Sequence, residues 1–158
     1  MSSDAYRLFY FLGHFVTRPR PGGGPNPIYS VDSTDGIHFS SARLAFDAEA
    51  VTDPTVTRLV DGSWRMALRQ GDHVLLAGSD DGLVFGELAE IDIFGIPELL
   101  SLPGGNVRLV AASMFDSSDG GLTWVEVPTG SIPGGGADPS FVHLDDGTYA
   151  FFFKMFDR

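Results

Sequence analysis

Two aspartates stand in settings that allow chemistry: Asp53, in Thr52-Asp53-Pro54, and Asp138, in Ala137-Asp138-Pro139. Each precedes a short segment of alternating apolar and polar residues opened by its proline. A third such segment has Ile96 before Pro97 and offers Glu98 instead. Carboxylates facing each other across a bond do acid–base work. One delivers a proton and the other serves as base or nucleophile, which is what hydrolysis of a glycosidic bond requires. Burial and mutual repulsion would raise one pKa and leave the other low. The plainer reading of both dipeptides is that Asp-Pro starts a turn, and the sequence leaves both readings open.

Residues 13–27, GHFVTRPRPGGGPNP, carry His14, Arg18 and Arg20. These three side chains suit an anionic or hydroxyl-rich ligand; the bland alternative is a flexible Pro/Gly loop with solubilising arginines. His14, His38, His73 and His143 show no metal-ligand spacing, so no metal is expected. There is no G-x-S-x-G, and the GGG runs at 22–24 and 134–136 lack the Lys-Ser/Thr that follows a phosphate-binding loop. No cofactor is called for.

The elements that must position these residues are repeats. Residues 54–66 (PTVTRLVDGSWRM), 97–109 (PELLSLPGGNVRL) and 139–151 (PSFVHLDDGTYAF) align without a gap, with starts 43 and 42 residues apart. Each half alternates with the period of a strand that buries one face. Asp61-Gly62, Gly104-Gly105 and Asp146-Gly147 are dipeptides that tolerate the positive φ of tight hairpin turns. A second element alternates with the first: Ser33-Thr34-Asp35-Gly36-Ile37-His38-Phe39, Ser79-Asp80-Asp81-Gly82-Leu83-Val84-Phe85, and Ser117-Ser118-Asp119-Gly120-Gly121-Leu122-Thr123-Trp124. Here Asp accepts backbone N–H groups across a turn, and the last aromatic packs back into the sheet. The resulting module is strand A, turn, strand B, loop, strand C, serine–aspartate turn, strand D.

The expectation is therefore an all-β chain of four-stranded antiparallel propeller blades, about 13 strands or three blade-lengths, in a single repeat domain over 1–158. In such a meander the A–B and C–D turns share one end, and the B–C and D–A loops share the other. Asp53, Asp138 and Glu98 fall at the second end, beside the strands that line a central channel. Arg7, Arg65 and Arg108 recur at matching strand B positions; their recurrence points to scaffold, such as a repeated ion pair.

A net charge of −11 disfavours nucleic acid and anionic membranes, both of which call for Lys/Arg surfaces. No stretch approaches the roughly 18 apolar residues of a membrane span. Residues 1–12 lack the basic start and cleavage site of a signal peptide. The chain has no cysteine, which excludes disulfides and leaves the compartment undetermined.

The segment Ser117–Trp124 matches the Asp box, S-x-D-x-G-x-T-W, found in sialidases and in many non-enzymatic propellers. Asp53-Pro54-Thr55-Val56…Asp61-Gly62-Ser63-Trp64 and Asp138-Pro139-Ser140-Phe141…Asp146-Gly147-Thr148-Tyr149 resemble the D-P-x-V…D-G-x-Y strand pair of five-bladed glycosidases, the arabinanase, xylosidase and invertase-like group. That resemblance implies a carbohydrate-directed, glycoside hydrolase-like protein, with Asp53 or Asp138 as catalytic base. Glu98 is then the nearby candidate for the acid, although it matches no motif of the family. The alternative is a non-catalytic binding or assembly propeller, or a fragment without activity of its own. Three blades are too few to close a ring, and the apolar TYAFFFKMF segment would be a poor exposed edge. Either a longer propeller or a second copy covers it; a homo-oligomer, with a dimer favoured, is the expectation.

Overall fold

A computed structural model describes residues 5–11, 26–133 and 136–155. These residues form thirteen strands and no α-helix. Blade one holds β1 (Tyr6–Phe11), β2 (Ile28–Ser33) and β3 (Arg43–Phe46), paired in that order. Blade two is β4 (Val51–Arg58), β5 (Trp64–Gln70), β6 (His73–Ser79) and β7 (Gly86–Ile91). Blade three is β8 (Glu98–Ser101), β9 (Val107–Val110), β10 (Ser113–Ser117) and β11 (Val125–Ser131). A hairpin of β12 (Ala137–His143) and β13 (Tyr149–Lys154) follows. All neighbouring strands are antiparallel and consecutive in the chain.

The blades stack face to face, and the sequence of blade two shows why. Its inner strands read Met66-Ala67-Leu68 and Val74-Leu75-Leu76-Ala77, all buried. A strand covered on both faces loses polar alternation. Met66, Leu68, Leu75 and Ala77 pack toward blade one, with Ile28, Ala45 and Phe46. Ala67, Val74 and Leu76 pack toward blade three, with Leu99, Val107 and Leu109. Blade two is thus the filling between two apolar layers, each formed by alternate residues of the same two strands.

The A–B turns repeat one hydrogen-bond pattern. Leu59 N–H donates to Ser63 O at 2.8 Å and Gly62 N–H to Leu59 O at 3.0 Å; Leu102/Asn106/Gly105 and Leu144/Thr148/Gly147 do the same. Of the Asp-Gly dipeptides, only the glycine takes a positive φ, +90° at Gly62 and +83° at Gly147. That is the left-handed glycine of a bulged three-residue hairpin loop. The aspartate instead accepts Ser63 N–H at 2.9 Å, or Thr148 N–H at 2.9 Å. The tight hairpin turn expected from sequence is thus a three-residue loop.

The serine–aspartate turns also share one architecture. The serine hydroxyl donates to the aspartate in all three, at 3.0 Å for Ser33–Asp35, 3.1 Å for Ser79–Asp81 and 2.8 Å for Ser117–Asp119. It accepts the N–H of Gly36, Gly82 or Gly121. Each aspartate then caps N–H groups further on, including Ile37 and His38, Leu83, or Leu122 and Thr123. These bonds hold all three carboxyls below their ordinary pKa, through His38 foremost at Asp35, the Leu83 backbone at Asp81 and Thr123 at Asp119. They are turn residues.

Candidate functional site

The loops at the opposite end surround a cavity of about 880 Å³. Its wall includes Asp53, Glu98 and Asp138, so the three sequence-nominated carboxylates meet on one concavity. Each comes from the strand A start of a different sheet. Pro54, Pro97 and Pro139 line it as well. His14, Arg18 and Arg20 lie outside the described residues.

Asp53 and Asp138 do not start turns. Strand β4 begins at Val51 and β12 at Ala137, so both aspartates lie within their strands. Pairing passes from Thr52↔Arg69 to Thr55↔Ala67, so Asp53 and Pro54 together oppose Leu68 alone. It passes likewise from Ala137↔Lys154 to Ser140↔Phe152, so Asp138 and Pro139 oppose Phe153 alone. Each site is a β-bulge, where a proline without an N–H costs the ladder nothing. Both aspartates have left-handed backbone, φ +52° and +55°. A residue before proline ordinarily keeps an extended backbone with negative φ. Left-handed backbone costs a non-glycine residue roughly 1–3 kcal/mol, and such outliers gather at functional sites. Ala50 is the remaining non-glycine residue with positive φ among those described. The middle copy has neither bulge nor left-handed residue at Ile96.

Thr52 donates its hydroxyl to Asp53 Oδ2 at 2.8 Å. Glu98 is tied to both neighbouring sheets. Thr55 Oγ1 donates to its Oε2 at 2.8 Å, and Phe141 N–H to its Oε1 at 3.4 Å. Thr55 Oγ1 in turn accepts Leu99 N–H at 3.2 Å. Burial pushes the Glu98 carboxyl above its ordinary pKa, and the Thr55 and Phe141 bonds only partly offset this.

Arg69, Phe94 and Lys154 share the cavity wall. The Arg69 guanidinium lies 5.6 Å from the centre of the Phe94 ring, and Phe94 is 61% exposed. The loop that carries Phe94 is fixed: Ala112 N–H donates to Phe94 O at 3.1 Å, and a Cβ on Gly95 would lie 2.9 Å from that nitrogen. Sequence reasoning missed Thr55, Arg69, Phe94 and Lys154. The gapless repeat held a signal for Thr55, the counterpart of Glu98 one module earlier. Phe94 has no counterpart in the other copies and left none.

Stacked four-stranded antiparallel sheets, with strand A starts converging on one cavity, define a set of β-propeller blades. No protein-family model matches the sequence, and no curated protein matches it. Among solved structures, the chain is similar to three proteins. One is a protein of unknown function from Dyadobacter fermentans (15% identity, TM-score 0.67, 96% of this chain and 59% of that one). Another is an alpha-L-arabinanase from Penicillium chrysogenum, solved with arabinobiose (12%, 0.63, 93% and 48%). The third is Zg3597, a family 117 glycoside hydrolase from Zobellia galactanivorans (13%, 0.66, 98% and 66%). The chain has the fold of propeller glycoside hydrolases and spans about half to two thirds of the length of these neighbours.

Proposed function

We propose that the cavity at the loop end of the blades binds carbohydrate, with Asp53 and Asp138 as the carboxylates that address it in a glycoside hydrolase-like arrangement. The observation that carries this reading is the matched pair of strained bulges. Two Asp-Pro dipeptides in separate sheets adopt the same left-handed backbone on the same concavity. Nothing in hairpin pairing requires that backbone, since β8 starts its hairpin without it. The fold likeness to an arabinanase and to a family 117 glycoside hydrolase supports the same substrate class.

In the hydrolytic form of this reading, Asp53 or Asp138 is the base and a protonated Glu98 the acid. The raised pKa of Glu98 suits an acid. Its hydrogen bonds favour a second reading. Both Glu98 oxygens meet groups of the neighbouring sheets, so the side chain also serves to hold three strand A starts around the cavity. In that form the cavity binds sugar without cleaving it.

Arabinobiose and aryl arabinofuranosides separate these forms. Calorimetric binding of arabinobiose by the wild-type chain, lost in Asp53→Asn and Asp138→Asn with folding intact, supports the site. Release of the aryl alcohol, lost with Asp53→Asn and Glu98→Gln, supports hydrolysis. Binding that survives both aspartate substitutions overturns the assignment.

A further inference from the structure

We propose, resting on the carbohydrate reading of the cavity, that its ligand is an acidic sugar. Arg69 and Phe94, at the rim, seat the carboxylate and the ring of a uronic acid unit, beside the unit that Asp53 and Asp138 address. The first observation is that cations accompany the two aspartates. In the gapless repeat Asp53 matches Asp138, and Arg69 matches Lys154, the chain's single lysine. The middle copy has Ile96 in the first position and Ala112 in the second. A cation is thus present in the two modules that have the aspartate and absent from the module that lacks it. Arg69 lies opposite Thr52 and Lys154 opposite Ala137, the residues just before the two aspartates. Strands β4 and β12 run away from the loop end, so each cation stands one position nearer the rim than its aspartate. All four residues line the cavity. In a chain of 10 Lys and Arg against 21 Asp and Glu, that coincidence marks the rim as a place for an anion.

The second observation is the state of Arg69. Arg7, Arg43 and Arg108 each hold an aspartate of their own blade. Arg69 is half-buried and makes no ion pair among the described residues. Its Nε donates to Gly71 O at 3.3 Å, and its guanidinium lies against Phe94. Neither contact uses the two Nη groups, an edge that can bind a carboxylate by two parallel hydrogen bonds. Guanidinium is weakly hydrated, so an aromatic neighbour holds it at little cost and leaves its fork pre-organised. Arg58 lies over Trp64 in a similar way, but at the A–B turn end rather than on the cavity.

The pair spans two complete four-stranded blades, with Arg69 on β5 of blade two and Phe94 in the loop that leads to β8 of blade three. A sugar ring presents C–H groups on a face and polar groups at its edge. The exposed Phe94 ring suits the face, and the Arg69 fork suits a carboxylate at the edge.

Calorimetric titration with digalacturonate and with its methyl ester tests this, since the ester keeps the rings and hydroxyls and loses the charge. At about 0.05 M salt the acid should bind the wild-type chain about ten- to hundredfold tighter than the ester. The ratio should shrink as salt rises to about 0.5 M. Arg69→Gln should bring the ratio close to one. Phe94→Ala should weaken acid and ester alike, by about two- to tenfold. Far-ultraviolet dichroism checks that each variant remains a sheet protein, and the wild-type ratio needs no variant. Arabinobiose and the ester binding as tightly as the acid would overturn the acidic ligand and leave the carbohydrate reading standing. An acid preference that persists unchanged in Arg69→Gln would overturn the seat. No binding of acid, ester or arabinobiose would overturn both.

Discussion

Replacing Asp53 by glycine and by alanine isolates the backbone from the carboxylate. Both substitutions remove the acid, so both should abolish sugar binding. They differ in what they do at φ +52°. A Cβ in left-handed backbone costs about 1–2 kcal/mol relative to glycine. Glycine loses more freedom on folding, roughly 0.5–1 kcal/mol relative to alanine. The net expectation is that Asp53→Gly is more stable than Asp53→Ala by about 0.75 kcal/mol, the midpoint of a span of roughly 0–1.5 kcal/mol. For a chain of this size that corresponds to a Tm difference of about 1–4 °C. Asp138, at φ +55°, should behave alike. The bulges lie in separate sheets, so the differences should add to within a few tenths of a kcal/mol. Thermal unfolding by dichroism reads this directly, with arabinobiose calorimetry on the same samples. An alanine variant as stable as its glycine partner would mean that these positions are not left-handed, and the strained-bulge reasoning would fail.

Three further outcomes follow from the same structure. Burial raises the Glu98 pKa, so its contribution is fully present below the unfolded value and is lost as pH rises through the folded one. Glu98→Gln should therefore raise Tm at neutral pH and change it little near pH 4, read as Tm against pH. Asp32 is depressed, by Arg7 foremost, and Asp116 by Arg108. Their stabilisation is present above the ordinary carboxylate pKa of about 4 and lost as pH falls below it. Asp116→Asn should flatten that acid limb in an unfolding titration. Gly82→Ala should destabilise by more than about 1 kcal/mol, because a Cβ there meets Trp64 at 2.7 Å and φ is +71°; urea midpoints measure the loss.

The thirteen strands and the blade order were legible because period-two alternation and glycine punctuation are local signals. The burial of blade two on both faces was not legible: the repeats read as strands with one buried face, although Met66–Leu68 and Val74–Ala77 carry no polar alternation. The sorting of loops to two ends followed from connectivity alone and placed Asp53, Glu98 and Asp138 together. The bulges were not legible. Asp-Pro suits a turn start as readily as a bulge, and the choice depends on how β4 and β12 pair with their neighbours. The hydrogen bonds from Arg7 to Gly82 and from Arg65 to Gly120 join residues 75 and 55 positions apart. Sequence shows that these arginines recur; only the stacking of blades shows what they hold.

The most direct test of the carbohydrate site is an amide NMR titration of the labelled chain with arabinobiose. The expected result is saturable shifts concentrated at residues 52–55, 94–98, 111–112 and 137–140, the backbone around the cavity. Shifts confined to the serine–aspartate turn end, or none at millimolar sugar, would contradict a carbohydrate site at Asp53 and Asp138.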